Sequence, residues 1–293
     1  MDGVSIIVPY YHGNKYLAKL ADMLSGSISD FEEKTTGKAE VIFVNDSPGD
    51  RLNKEYLKKL DGHYKILEND VNYGIHKTRV YGIKEARYKY VLLLDQDDEI
   101  SRHCLRSQYN CIKMQKADLI IANGVRQIRG KDCLIFKNDK ALKDAATIVP
   151  YIAYGNVIAS PGQCLIRKEA IPQFWMENIL SENCADDMYL WLLMFGEKSK
   201  VGWNLAVLYT HISTGENFSS NEKQTILSER KVIGLLREYG KIKERYLQFY
   251  EKRLEFREKF FFGIKVKSVA SLYYYCTEIY KKMIFYIIKY LHY

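Results

Sequence analysis

Within the first 125 residues, short apolar runs alternate with segments of helical spacing, and this alternation constrains the fold more than any other feature. Val4–Val8 (V-S-I-I-V), Val41–Val44 (V-I-F-V), Tyr64–Leu67, Tyr90–Leu94 (Y-V-L-L-L) and Leu119–Ala122 (L-I-I-A) read as strands. Helical spacing fills the gaps at Asn14–Leu24, Asn53–Leu60 and Lys77–Arg87. Strand, helix and strand repeated this way predict an α/β domain with a mostly parallel sheet covered by helices on both faces. In such sheets, polar residues just past the C-terminal strand ends form the site. Attention therefore falls on Pro9–Tyr11, Asn45–Asp46 and Asp95–Asp98.

Beyond residue 125 the pattern loosens. Short β-like pieces stand at Val125–Ile128, Leu134–Phe136, Gln163–Ile166 and Ala206–His211, around a helix expected from Asp186 to Phe195. The uncharged stretch Thr147–Ile166 is long enough to raise the question of a membrane span. Its Pro150, Gly155, Asn156, Pro161 and Gly162 make it loop and strand instead. After a cap at Ser220 or Asn221, one helix should reach about Tyr239 and end at Gly240, and a charged helix should follow to about Phe260. A last amphipathic segment runs from about Val266 to Leu291. The expected division is an α/β domain over 1–220 and a helical region over 221–293.

Charge follows the same division. Lys241 onward carries 12 Lys/Arg against 5 Glu, whereas residues 1–240 are close to neutral. The basic tail interleaves its lysines with Tyr and Ile at helical spacing, which suits an anionic membrane surface, its own domain or a second copy in a homodimer better than nucleic acid. Strand-like sequence begins within three residues of Met1, leaving no room for a secretory signal. The six cysteines form no C-x-x-C pair. A cytoplasmic protein is the expectation, with a peripheral place on the cytoplasmic face of the membrane as the alternative that the tail offers.

Asp95-Gln96-Asp97-Asp98-Glu99 directly follows the most apolar strand. Four acids in five positions repel one another unless a positive charge sits among them. A Mn²⁺ or Mg²⁺ ion answers that need, because both take oxygen ligands and complete their shells with water and substrate phosphates. An acidic cap on the helix starting near Ser101 is the plainer alternative.

The order of these pieces resembles the family 2 glycosyltransferases of the GT-A fold. The carriers are V-S-I-I-V-P-Y-Y-H-G-N-K-Y-L (4–17), V-I-F-V-N-D-S-P-G-D (41–50), N-Y-G-I-H-K-T-R-V-Y-G-I (72–83) and D-Q-D-D (95–98), followed by G-Q-C-L-I-R-K-E-A-I (162–171), A-D-D-M-Y-L-W-L (185–192) and L-Y-T-H-I-S-T-G-E-N-F-S-S-N (208–221). Two positions depart from the pattern: Val80 stands where Asn is common, and Asp186 where Glu is frequent.

The resemblance implies a nucleotide-sugar donor, a UDP-sugar by preference, bound by Pro9, Tyr10, Tyr11, Asp46, Asn72, Gly74, Arg79, Asp95 and Gln96. Arg79 would lie near the nucleotide phosphates, and Asp97 and His211 would hold the metal. Asp187 would act as general base in a single inverting displacement. Gln163, Asp186 and Trp191 would face a polysaccharide or lipid-linked glycan acceptor, with Trp175 and Trp203 as further aromatic candidates. A sugar nucleotidyltransferase of similar fold is a rival, but the place after the first strand holds Tyr10-Tyr11-His12-Gly13-Asn14 rather than a Gly-rich basic loop. A non-catalytic scaffold acting through its tail is the second rival.

Overall fold

The computed structural model describes residues 1–128, 131–181, 184–212 and 222–263. Its strands are β1 (Gly3–Tyr10), β2 (Lys38–Asn45), β3 (Tyr64–Glu68), β4 (Tyr90–Leu93), β5 (Glu99–Ile100), β6 (Leu119–Ile128), β7 (Lys131–Leu134), β8 (Cys164–Arg167) and β9 (Val201–Ile212). The helices are α1 (Asn14–Lys34), α2 (Ile75–Glu85), α3 (Cys104–Gln115), α4 (Asp139–Asp144), α5 (Ile148–Tyr154), α6 (Gln173–Glu177), α7 (Asp186–Gly196), α8 (Glu222–Tyr239) and α9 (Glu244–Gly263).

The strands lie in the order β3-β2-β1-β4-β8-β6-β9-β5, with β7 paired to β6. From β3 to β4 the sheet is parallel. β8 then runs antiparallel between β4 and β6, and β9 lies parallel to β6. Successive residues of β1 enter opposite layers, as the two-residue period of a strand demands. Ile6 and Val8 join Phe43 and Leu92 beneath α1 and α3, while Ile7 joins Ile42, Val44 and Leu93 beneath α2 and α7. This is why the run V-S-I-I-V shows almost no polar position: both faces are core.

The second of these layers extends through α5 and α7 to α8 and α9, whose Val232, Leu236, Leu247 and Tyr250 are buried in it. A buried arginine ties these helices together. Arg253 of α9 donates to the carbonyls of Tyr151 (2.8 Å) and Ile152 (3.2 Å) in α5, and to Glu229 Oε2 of α8 (2.7 Å).

Several elements differ from expectation. Residues 54–60 form a 3-10 helix that buries Leu57 and Leu60. The pieces at 119–122 and 125–128 are one strand, irregular in register against β9 near Asn123. α5 lies inside the stretch read as loop and strand. Pro150 fits there because it sits in the first turn, where an N–H has no helical partner to lose. Among the described residues no helix is long and apolar enough to cross a membrane. The expected segments at 213–221 and 266–291 fall outside the described residues.

Gly82 sets the distance between α2 and the sheet. A Cβ there would stand 2.4 Å from Ile7 Cγ2 and 3.1 Å from Val44 Cγ2. Gly82→Ala should therefore destabilise by about 1–3 kcal/mol through overpacking, although alanine is the better helix former. Urea unfolding of the variant against the parent chain measures this, and an unchanged midpoint would contradict the close approach.

Candidate active site

The C-terminal ends of β1, β2 and β4 open on one edge of the sheet, and the N-termini of α2 and α7 meet them there. Between them lies a cavity of about 710 Å³, well within the size range of small-molecule sites. Pro9, Tyr10, Tyr11, Asp46, Asn72, Gly74, Arg79, Asp95, Gln96, Asp97, Asp186, Asp187 and His211 all line it. The two acidic stretches near 97 and 187 thus share one hollow.

Arg79 joins them. It projects from α2 and is only 3% exposed; its Nη2 donates to Asp95 Oδ1 (2.5 Å) and its Nη1 to Asp186 Oδ2 (2.7 Å). Ser160 Oγ takes the other Asp95 oxygen at 3.0 Å. The indole N–H of the buried Trp175 donates to the Asp186 carbonyl (2.8 Å) and so fixes the start of α7. Arg79, expected near the nucleotide phosphates, and Asp186, expected on the acceptor side, both line the cavity; there they pair with each other, and Arg79 braces β4 against α7.

The loops around the cavity are held by polar side chains. Asp46 accepts from Tyr73 N (2.8 Å), Gly74 N (2.9 Å) and Asn69 Nδ2 (2.8 Å). Asn72 adds a further bond to Gly74 N (3.0 Å). These bonds hold Gly74 at φ +81°, a left-handed conformation that suits glycine as α2 begins. Gln96 clamps the backbone of Tyr11 at both its N–H (3.0 Å) and its carbonyl (2.9 Å). Of the adjacent tyrosines, Tyr10 is fully buried and Tyr11 is 44% exposed. Only Tyr11 presents an open ring.

At the other end of the cavity, β5 pairs antiparallel with β9, setting Glu99 opposite Thr210. That register brings Asp98 beside His211. Asp98 is buried and accepts from His211 Nδ1 (3.1 Å), Ile212 N (3.1 Å) and the Tyr209 hydroxyl. A carboxylate can only accept, so the imidazole proton sits on Nδ1, and the same bond raises the His211 pKa. Nε2 is then the nitrogen that could take a metal, as where a carboxylate orients a metal-binding histidine. Asp97 engages no side chain among the described residues. Burial, then the carboxylates of Asp98 and Asp95, push its pKa up to about 6. This is a site short of positive charge, and a dication fits it. Among the described residues no group of three or more His, Cys, Asp or Glu could hold a metal ion alone. The donor set instead suits an ion that takes one or two protein ligands and fills its shell from phosphates and water.

Asp187 stands in the first turn of α7. Its Oδ1 accepts from Met188 N (2.7 Å) and its Oδ2 from Asn156 Nδ2 (2.7 Å). Burial and the neighbouring Asp186 carboxylate raise its pKa, against the opposing influence of Arg79 and these two bonds. Such a carboxylate is tuned toward proton transfer near neutrality.

Two expected residues are not brought to the cavity. Gln163 is fully buried; its amide oxygen accepts from Ala159 N (2.6 Å) and its amide nitrogen donates to the Ala122 carbonyl (3.1 Å). Trp191 is fully buried in the core with the apolar face of α7. Both support the site from behind rather than face a ligand. Conversely, Ser160 and Asn156 touch the key carboxylates, and nothing in their local sequence singles them out except polar side chains in an uncharged stretch.

The family model for glycosyl transferase family 2 matches residues 5–175. A cholesterol galactosyltransferase of Borreliella burgdorferi is 25% identical over 84% of this chain and 73% of its own length. A poly(ribitol-phosphate) beta-N-acetylglucosaminyltransferase, TarS of Staphylococcus aureus, is 29% identical over 40% of this chain but only 20% of that protein. The crystal structure of S. aureus TarS 1-349 in complex with UDP-GlcNAc shares the fold, with a TM-score of 0.69 over 90% of this chain and 76% of that one at 19% identity.

Removing the brace tests its weight. Arg79→Met leaves the buried Asp186 and the half-buried Asp95 without their cation and should cost about 3–5 kcal/mol in urea unfolding. Neutralising a partner as well, in Arg79→Met/Asp186→Asn, should return part of that loss. A single variant as stable as the parent would show that the bridge carries no structural role.

Proposed function

The chain belongs to glycosyl transferase family 2, and on that premise we propose that it transfers a hexosyl unit from a UDP-sugar to a polysaccharide or lipid-linked glycan of the cell envelope, with inversion and with a divalent cation. The observation that carries this reading is the position of Asp187. A carboxylate of raised proton affinity opens into the same cavity as Asp97 and His211, about which a nucleoside diphosphate can be neutralised. The relatives' names agree in chemistry: one galactosylates cholesterol, and another adds N-acetylglucosamine to a ribitol phosphate polymer.

The exposed Tyr11 ring offers a face for the base, beside the loop that Asp46 and Asn72 hold in place. Asp97 and His211 Nε2 would hold Mn²⁺ or Mg²⁺, which when bound supplies Lewis-acid stabilisation to the leaving diphosphate. Asp187 accepts the proton of the acceptor hydroxyl as that oxygen bonds to the anomeric carbon. The bond from this carbon to the diphosphate oxygen breaks in the same displacement, and its electron pair leaves with UDP. One base suffices, and no covalent sugar–enzyme bond forms. Arg79 positions both acidic stretches without touching the reacting atoms.

Asp187→Asn should reduce transfer at least a thousandfold while UDP binding in the presence of Mn²⁺ stays within about twofold. Because the base must be ionised, transfer should fall as pH is lowered, with a midpoint above the ordinary aspartate value of about 4. Release of UDP from a panel of UDP-sugars, followed with and without Mn²⁺ across pH, checks both. Near-normal turnover by the variant would remove Asp187 from the mechanism.

A further inference from the structure

His76 is fully buried on α2, and the transfer chemistry makes no use of it. Both of its ring nitrogens are engaged, and their partners fix the tautomer. Leu180 N can only donate, so Nδ1 accepts from it at 2.9 Å. The Trp175 carbonyl can only accept, so Nε2 carries the proton and donates to it at 3.1 Å. Burial pushes the His76 pKa down to about 4, with Asp186 opposing and Arg79 assisting, so the ring is neutral near neutral pH.

Both partners need this ring. α6 ends at Glu177, so the Trp175 carbonyl stands in its last turn, where no helical N–H follows to meet it. Leu180 lies just past that helix and is buried in the core. A neutral imidazole presents an acceptor and a donor from one rigid plane and satisfies both groups at once. The ring also lies against the Trp175 indole, with centroids 4.2 Å apart. Trp175 in turn donates from its indole N–H to the Asp186 carbonyl. His76 and Arg79 stand three residues apart, on one face of α2. Arg79 grips the Asp186 side chain, while His76 holds the Asp186 backbone through Trp175.

We infer that His76 is a positioning residue for the transfer: it fixes the turn from Trp175 to Leu180 and, through the Trp175 indole, the backbone from which Asp187 reaches the cavity. This rests on Asp187 acting as the base. Loosening the turn frees the start of α7 and admits water to Asp187. The groups that face this carboxylate are Asp186 of its own helix, Arg79 of α2, Tyr151 of α5, Asn156 just beyond α5 and Cys164 of β8. Burial is the leading cause of its raised proton affinity, so hydration lowers it, and the pH midpoint of transfer moves toward the ordinary aspartate value.

The test uses the full chain with Mn²⁺ and whichever UDP-sugar of the panel it turns over fastest. His76→Phe keeps a flat ring beside Trp175 but makes neither hydrogen bond. It should lower kcat about tenfold with KM within about twofold, and move the pH midpoint of transfer down by about half a unit or more. Deuterium exchange over residues 175–181 should quicken about tenfold. His76→Gln, whose amide offers an acceptor and a donor at similar spacing, should recover most of kcat and the parent midpoint. Trp175→Phe removes only the indole N–H contact to Asp186 and should reproduce the kcat loss and the displaced midpoint. The double variant should lose no more than either single one, because both act along one path. A parent-like kcat and midpoint in either single variant, a kcat loss with an unmoved midpoint, or losses that multiply in the double variant would overturn the inference. Should His76→Phe not fold, Trp175→Phe decides by the same readings. Near-normal turnover by Asp187→Asn strikes the base reading, whereas unchanged exchange over 175–181 in His76→Phe strikes the positioning role alone.

Discussion

A guanidinium with almost no access to water holds the site together. Arg79 reaches Asp95 at the end of β4 and Asp186 at the start of α7, 107 residues away along the chain. A buried ion pair adds little net stability over a well-packed apolar alternative, but it penalises every arrangement in which one partner is missing. Here that penalty specifies where α7 may begin. Its consequence is geometric: once Asp186 is bound to Arg79, Asp187, its neighbour in the chain, must open into the cavity.

The remaining acids are sorted by what they touch. Asp95, Asp98 and Asp186 are spent on Arg79, His211, Tyr209 and backbone N–H groups, and they define shape. Asp97 and Asp187 keep carboxylates of raised proton affinity, and both face the cavity. Like charges pressed together thus serve two ends. Some are neutralised to build a frame, and the others stay under-compensated, as a site needs if it is to attract a cation and accept a proton.

Much of this was legible in the chain. The apolar runs at 4–8, 41–44 and 90–94 announced strands covered on both faces, since a run without alternation has no side left for water. The acids at 95–98 and 186–187 stood out because like charges at the mouth of a buried strand or the tip of a helix call for an explanation. What could not be read was partnership. Arg79 was legible as a charge of the site, but its helical position does not reveal that two carboxylates converge on it. Gln163 and Trp191 have side chains suited to sugars, yet burial on every side put one into backbone hydrogen bonds and the other into the core. Asn156 was hidden for the opposite reason, since its role arises only where the end of α5 meets the start of α7.

The attachment of α9 to α5 carries a lesson about inheritance. Arg253 satisfies two carbonyl groups of a helix that belongs to the catalytic half, and Val232 and Tyr250 complete the same interior as Trp191. The late helices are consequently no detachable module. Recombination with another transferase could exchange them only if the recipient offered the same carbonyls and the same hollow, so these two portions of the chain are bound to diverge together.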